Sequence, residues 1–168
     1  AQEVVKQISS MSRKNVETVY DAVSVEGLLH RTRKLVETNC PKNVELCEEN
    51  ALTGECVLGN ATQLQQVLLN ISINAIHAIG AEGGELTIRG SVVPRRELEA
   101  LFPEEKISEE WSSYVCLSVT DTGCGMDKET MQHIFEPFFT TKKTGEGTGL
   151  GLALADQIIR THRGRIRA

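Results

Sequence analysis

The sequence predicts a mixed α/β domain, and two observations carry that expectation. Segments with apolar residues at helical spacing, above all 60–80, interleave with short segments that alternate like strands, such as 44–47 and 85–93. A third observation marks a place for function. Glu146-Gly147-Thr148-Gly149-Leu150-Gly151-Leu152-Ala153-Leu154-Ala155 sets three glycines at alternate positions just before an apolar, helix-forming run. Glycine brings no side chain and reaches conformations barred to other residues, so this backbone can press against a ligand. The helix behind it offers unpaired N–H donors and the positive end of its dipole, which suits a phosphate. A flexible loop ahead of an ordinary helix is the plainer reading. Neither a Gly-Lys-Ser/Thr phosphate loop nor a G-x-G-x-x-G turn after a strand fits the stretch.

The elements follow in chain order. Val4, Val5, Ile8 and Met11 give 1–13 the pattern of a short amphipathic helix, the tail of a longer one. Residues 15–23 read as a connector, partly extended. Ser24 is a natural N-cap for a helix to Thr38, with Val25, Leu28, Leu29, Leu35 and Val36 as its apolar set and Pro41 beyond its end. Two short strands follow, 44–47 and 55–58. Asn60, with Gln63 three residues on, has the form of a capping box, and Leu64, Val67, Leu68, Ile71, Ala75 and Ala78 keep the helical period to Gly80. Gly83-Gly84 turns into a strand over 85–93, which forms a hairpin with 114–120. The charged insertion between them holds the only tryptophan, Trp111, and room for a short helix. A short helical piece over 128–135 and the helix after Gly151 complete the order.

Composition narrows the function. At 168 residues with 40% apolar content the chain can bury a real core as one domain plus an appendage. The net charge of −5 argues against a nucleic-acid partner. No apolar run approaches the roughly 20 residues that span a bilayer, and residues 1–14 do not read as a signal peptide. The expected location is cytoplasmic, with a membrane anchor open to a longer parent. Cys40, Cys47, Cys56, Cys116 and Cys124 are odd in number and contain no C-x-x-C, so buried free thiols are expected rather than a disulfide framework or zinc site.

Several polar residues interrupt these patterns. Asn70 and Asn74 lie four apart, on one face of a helix. They are either exposed amides or a pair of neutral oxygen donors suited to a hard cation shared with phosphates. Asp121-Thr122-Gly123-Cys124-Gly125-Met126 ends a strand with a carboxylate and two glycines, either a simple turn or a hydrogen-bond acceptor beside a closely held ligand. Phe138-Phe139 stands in a loop of Thr, Lys and Gly, as an aromatic anchor for a loop able to move.

In this order, Asn70-x-x-x-Asn74-Ala75, Asp121-x-Gly123-x-Gly125, Glu136-Pro137-Phe138-Phe139 and Gly147-Thr148-Gly149-Leu150-Gly151-Leu152 resemble the N, G1, F and G2 boxes of sensor histidine kinases, closest to the nitrogen-regulation type. Those boxes define a catalytic, ATP-binding domain shared more widely with gyrase B, Hsp90 and MutL. The resemblance implies a two-layer α/β (α+β) sandwich, a mixed sheet packed on three helices. It assigns 1–14 to the end of a second dimerisation helix and 15–168 to the catalytic domain, with its closing strands truncated.

The resemblance also implies roles. Asn74 is the expected Mg²⁺ ligand, with Asn70 beside the metal and phosphates. Asp121 is expected to accept the adenine amino group, while Gly123, Gly125 and Met126 close over the base. Residues 127–146 form the expected ATP lid, with Phe138 or Phe139 as anchor and Thr140 and Thr141 facing the nucleotide. Lys142 or Lys143 is expected to reach the terminal phosphate. Gly147, Thr148, Gly149, Leu150, Gly151 and Leu152 are expected to cradle the phosphates. His77 is either a phosphate contact or an exposed helix residue. Alanine at Gly149 and Gly151 is expected to weaken ATP binding and leave the fold largely intact.

ATPase relatives place a Glu one turn before the metal-binding Asn. Here that position is Asn70, which favours transfer to a protein over hydrolysis, and over an ATP-driven clamp. The intact Asn, Asp and Gly set disfavours a degenerate nucleotide sensor. The Phe pair and the helix remnant disfavour an anti-sigma serine kinase. None of His30, His77, His133 and His162 is followed by an acidic residue, so the phosphoacceptor is expected on a dimerisation domain outside this chain. The expected partners are that domain, in a homodimeric parent, and a response regulator.

Overall fold

The computed structural model describes residues 19–142 and 147–168. The expectations for the helix over 1–13, and for Lys143, Gly145 and Glu146, lie outside the described residues. The element order is β1 (Asp21–Ser24), α1 (Val25–Asn39), β2 (Val44–Asn50), β3 (Cys56–Gly59), α2 (Ala61–Ile79), β4 (Gly84–Pro94), α3 (Arg95–Leu101), β5 (Ser113–Asp121), α4 (Lys128–His133) and α5 (Gly151–Thr161).

Local chemistry sets the helix ends. Ser24 Oγ accepts from Gly27 N at 3.2 Å and starts α1. Asn60 Oδ1 accepts from Gln63 N at 3.0 Å and starts α2. The box expected there is only half made, because Gln63 Oε1 is buried with no hydrogen-bond partner among the described residues. Gly80 stops α2 at φ 68°, a backbone region that favours glycine.

The sheet is mixed, with strand order β2-β4-β5. β2 runs parallel to β4 from Val44↔Gly84 to Asn50↔Gly90, and β4 runs antiparallel to β5 from Leu86↔Asp121 to Pro94↔Ser113. The predicted hairpin is therefore present, with α3 inside its insertion. Trp111 in that insertion is 59% exposed. β1 and β3 form a separate two-stranded antiparallel sheet.

Helices cover one face of the three-stranded sheet. Val25, Leu29 and Val36 of α1 and Ala75 and Ile79 of α2 pack with Leu86 and Ile88 of β4 in the main core. β4 alternates between buried Leu86, Ile88 and Gly90 and the more exposed Glu85 and Arg89, as a sheet with one covered face requires. α5 packs on α2 through Val67, Ala155 and Ile158. This is a two-layer α/β arrangement. Burial of the thiols does not match expectation. Cys40, Cys47 and Cys116 are half-buried, Cys40 against the main core at the end of α1, and Cys56 and Cys124 are exposed. No helix among the described residues is long and apolar enough to cross a membrane.

Candidate functional site

A cavity of about 560 Å³ opens between α2, the Cys124–Met126 turn, the segment from α4 to Lys142 and the start of α5. Its size is that of a cofactor or nucleotide site. α2 supplies one wall through Asn70, Ile73, Asn74, His77 and Ala78, which share one helical face. Thr140, Thr141 and Lys142 stand over it, and Gly147, Thr148, Gly149, Gly151 and Leu152 form the opposite wall, with Gly125 and Met126 at one end.

The two asparagines are placed differently. Asn70 Nδ2 donates to the Gly151 carbonyl at 3.1 Å, so its amide ties α2 to the first residue of α5 and keeps its oxygen for another partner. Asn74 faces the cavity, and its side chain makes no hydrogen bond among the described residues. A Cβ on Gly151 would lie 3.9 Å from Asn70 and 4.0 Å from Asn74, so the front of α5 stands directly against the pair.

The front of α5 carries no side-chain cap, as is also true of the short α3 behind Pro94. Side chains cap α1, α2 and α4 through Ser24, Asn60 and Asp127. The N-cap of α5 is Leu150, whose apolar side chain accepts nothing. Its first-turn N–H groups, with the dipole behind them, are left for a ligand.

His77 and Lys142 meet across the cavity mouth, with Lys142 Nζ 2.7 Å from His77 Nδ1. The ammonium donates, so the imidazole accepts in its neutral form. Desolvation under the overlying segment lowers the His77 pKa, and the Lys142 charge lowers it further.

Other predicted residues stand elsewhere than expected. Phe138 is 66% exposed and its ring does not line the cavity. Its contribution is backbone: at φ 69° its N–H donates to the Gly149 carbonyl at 2.9 Å. The aromatic that lines the cavity is Phe139, whose ring lies 5.7 Å from that of His133. Gly149 does not meet the expectation that alanine leaves the fold largely intact. It adopts φ 65°, and a Cβ would sit 2.4 Å from the Phe138 carbonyl carbon, so alanine disrupts this joint. Leu150 is 2% exposed and belongs to the core.

Asp121 and Gly123 stand behind the lining. Asp121 Oδ1 accepts from Gly123 N at 2.9 Å, which shapes the turn. Gly123 closes onto protein: a Cβ there would lie 2.4 Å from the Ala78 carbonyl carbon, and Cys124 N donates to Ala78 O at 3.0 Å. The turn is thus pinned to the last turn of α2. Sequence reasoning gave no individual role to Ile73, Ala78, Cys124, Thr130 or Ile134, all in the lining. Helical spacing from Asn70 and Asn74 points to Ile73 and Ala78; nothing local points to Thr130 or Ile134.

Residues 59–168 match the histidine kinase-, DNA gyrase B- and HSP90-like ATPase family, and the chain belongs to that family. Among curated relatives, the signal transduction histidine-protein kinase AtoS of Escherichia coli (strain K12) is 36% identical over 170 residues, covering 98% of this chain and 24% of its own length. The sensory histidine kinase/phosphatase NtrB of Rhizobium leguminosarum bv. phaseoli is 33% identical over 145 residues, covering 86% of this chain and 36% of its own. The chain thus spans about a third or less of these relatives' length. Among solved structures, the catalytic domain of histidine kinase ThkA superimposes with TM-score 0.64 at 29% identity, covering 85% of this chain and 81% of that one. ThkA in complex with the response regulator TrrA gives TM-score 0.68 at 26% identity, covering 97% and 41%. The fold is that of a histidine kinase catalytic domain.

Proposed function

We propose that this chain is the catalytic, ATP-binding domain of a sensor histidine kinase, and that the cavity takes ATP with Mg²⁺. The observation that carries the reading is the uncapped front of α5, set against Asn70 and Asn74 across a nucleotide-sized cavity. The donor set fits a hard cation. Among the described residues no cluster of three His, Cys, Asp or Glu side chains forms a cage, while amide oxygens at Asn74 and Asn70 suit an ion shared with substrate phosphates. Bound there, Mg²⁺ supplies charge neutralisation on the phosphate oxygens.

The chain's own residues do the rest by positioning. The α5 N–H groups and the Gly147–Gly151 backbone hold the phosphates, and Lys142 adds positive charge beside them. Asp121, with one oxygen already fixing the Gly123 turn, presents its other oxygen to the adenine amino group. Phosphoryl transfer asks mainly for such placement and electrostatic support. Asn70 is a poor base, which favours transfer to a histidine over activation of water. The acceptor is a His on a dimerisation domain of a homodimeric cytoplasmic parent, and a response regulator Asp receives the group from it. The names of the relatives and the ThkA–TrrA pairing support that assignment.

The test is calorimetric titration of the 168-residue chain with ATP and Mg²⁺, repeated with Asp121→Ala, then incubation with a separately produced dimerisation domain carrying the acceptor His. Binding that needs Asp121, and phosphohistidine on the added domain alone, are expected. Absence of ATP binding, or stable phosphohistidine on this chain by itself, would sink the reading.

A further inference from the structure

We propose that His162 is a positioning residue for the nucleotide site. Its imidazole, protonated on Nδ1 only, fastens the rear of α5 to the front of α2 and so sets where the uncapped front of α5 stands relative to Asn70 and Asn74. The proposal rests on the nucleotide reading of the cavity.

The hydrogen bonds fix the tautomer. His162 Nδ1 lies 2.8 Å from the Ile158 carbonyl, and a carbonyl only accepts, so Nδ1 carries the proton. His162 Nε2 lies 3.0 Å from the backbone N of Asn60, and an amide N–H only donates, so Nε2 is bare. The surroundings are shaped for this ring. A Cβ on Gly59 would lie 2.7 Å from His162 Cδ2, so a side chain there would displace the imidazole. Tyr20 covers another side, with ring centroids 4.9 Å apart and its hydroxyl donating to Thr161 O at 3.4 Å.

The tie matters because of what lies at the other end of the same helices. α5 runs antiparallel to α2. Asn60 meets His162 at one end, and Asn70 meets Gly151 at the other. Ten residues of α2 and eleven of α5 separate the two ties, about 15 and 17 Å of helix at the usual rise. The matched lengths make a clasp with two fastenings, one at the phosphate cradle and one behind it. Releasing the rear lets α5 tilt on its Val67–Ala155–Ile158 contacts and displaces its N–H groups from the asparagine pair. Among the described residues the Asp121–Met126 turn has a backbone hydrogen bond to α2 and none to α5, so recognition of a base is independent of the clasp.

The experiment titrates the 168-residue chain and its His162→Phe and His162→Gln variants with ATP plus Mg²⁺ and with adenosine. The His162 tautomer is read by nitrogen-15 NMR. Phe is expected to weaken ATP binding roughly three- to tenfold, the scale of one hydrogen bond, and to leave adenosine affinity unchanged. Gln, whose side-chain oxygen can accept from Asn60 while its amide donates, is expected to recover most of the loss. Unchanged ATP affinity in the Phe variant overturns the proposal, as does a parallel loss for ATP and adenosine. A proton on Nε2 in the unaltered chain overturns it too, and that measurement decides even where Phe prevents folding. An unaltered chain that binds neither ligand refutes the nucleotide reading, and the clasp's role with it.

Discussion

The front ends of α1 and α5 obey one rule and come out opposite. Both helices leave their first N–H groups without intrahelical partners. At α1 the protein closes the end with its own Ser24 hydroxyl, and the helix runs into the main core. At α5 it places a buried leucine at the cap, glycines ahead of it, and two amide side chains opposite. A closed end contributes stability and nothing more. An open end forgoes that stabilisation and leaves donors for a ligand; at α5, unlike the equally uncapped α3, those donors front the cavity.

The largest expected effect falls on the open end. Asn74→Ala should weaken ATP·Mg binding about a hundredfold, near 2.7 kcal/mol, while the thermal midpoint without nucleotide stays put. Calorimetry with and without Mg²⁺ reads this, and a loss independent of Mg²⁺ would remove Asn74 from the metal site. Gly149→Ala should lower unfolding stability by about 1–3 kcal/mol and ATP affinity by roughly tenfold, since the methyl displaces the Phe138 carbonyl. Denaturant melts and titration together check it, and an unchanged melt would contradict the joint.

At the closed end, Ser24→Ala should cost about 1 kcal/mol of stability and leave ATP affinity unchanged. A parallel drop in affinity would erase the contrast between the two ends. The smallest effect concerns His77. Its pKa is lowered from 6.5, so the neutral form that accepts from Lys142 is fully present above that value and is lost as pH falls through the lowered one. The contribution to stability goes with it. An NMR titration of the nucleotide-free chain should show a His77 midpoint below 6.5, and Lys142→Met should move it upward. No upward movement would mean that the ammonium does not face the ring.

Much of the fold was legible because it rests on local rules. Ser24, Asn60 and Gly80 announce helix ends through hydrogen bonding and backbone conformation, and Leu86 and Ile88 declare the buried face of β4 by alternation. The four motifs likewise brought Asn70, Asn74, Gly125, Met126, Thr140, Thr141, Lys142 and the Gly147–Leu152 stretch to one cavity, Leu150 excepted. What stayed hidden depends on tertiary approach. Phe138 and Phe139 are equivalent in sequence, and only a backbone bond to Gly149 turns one outward and leaves the other in the wall. Gly123 reads as a ligand-side glycine, yet the atoms it makes room for belong to α2. The pairing of β1 with β3, away from the main sheet, has no local signature at all.

The tie between Asn70 and Gly151 joins residues 81 positions apart along the chain. Seen in time rather than in space, that separation orders events during synthesis. α2 leaves the ribosome with the residues of one wall, and those of the opposing wall, within 147–152, follow much later. Closing so long a loop is entropically slow and is rewarded only when the helices dock. The cavity therefore gains its second wall only once α5 has docked on α2.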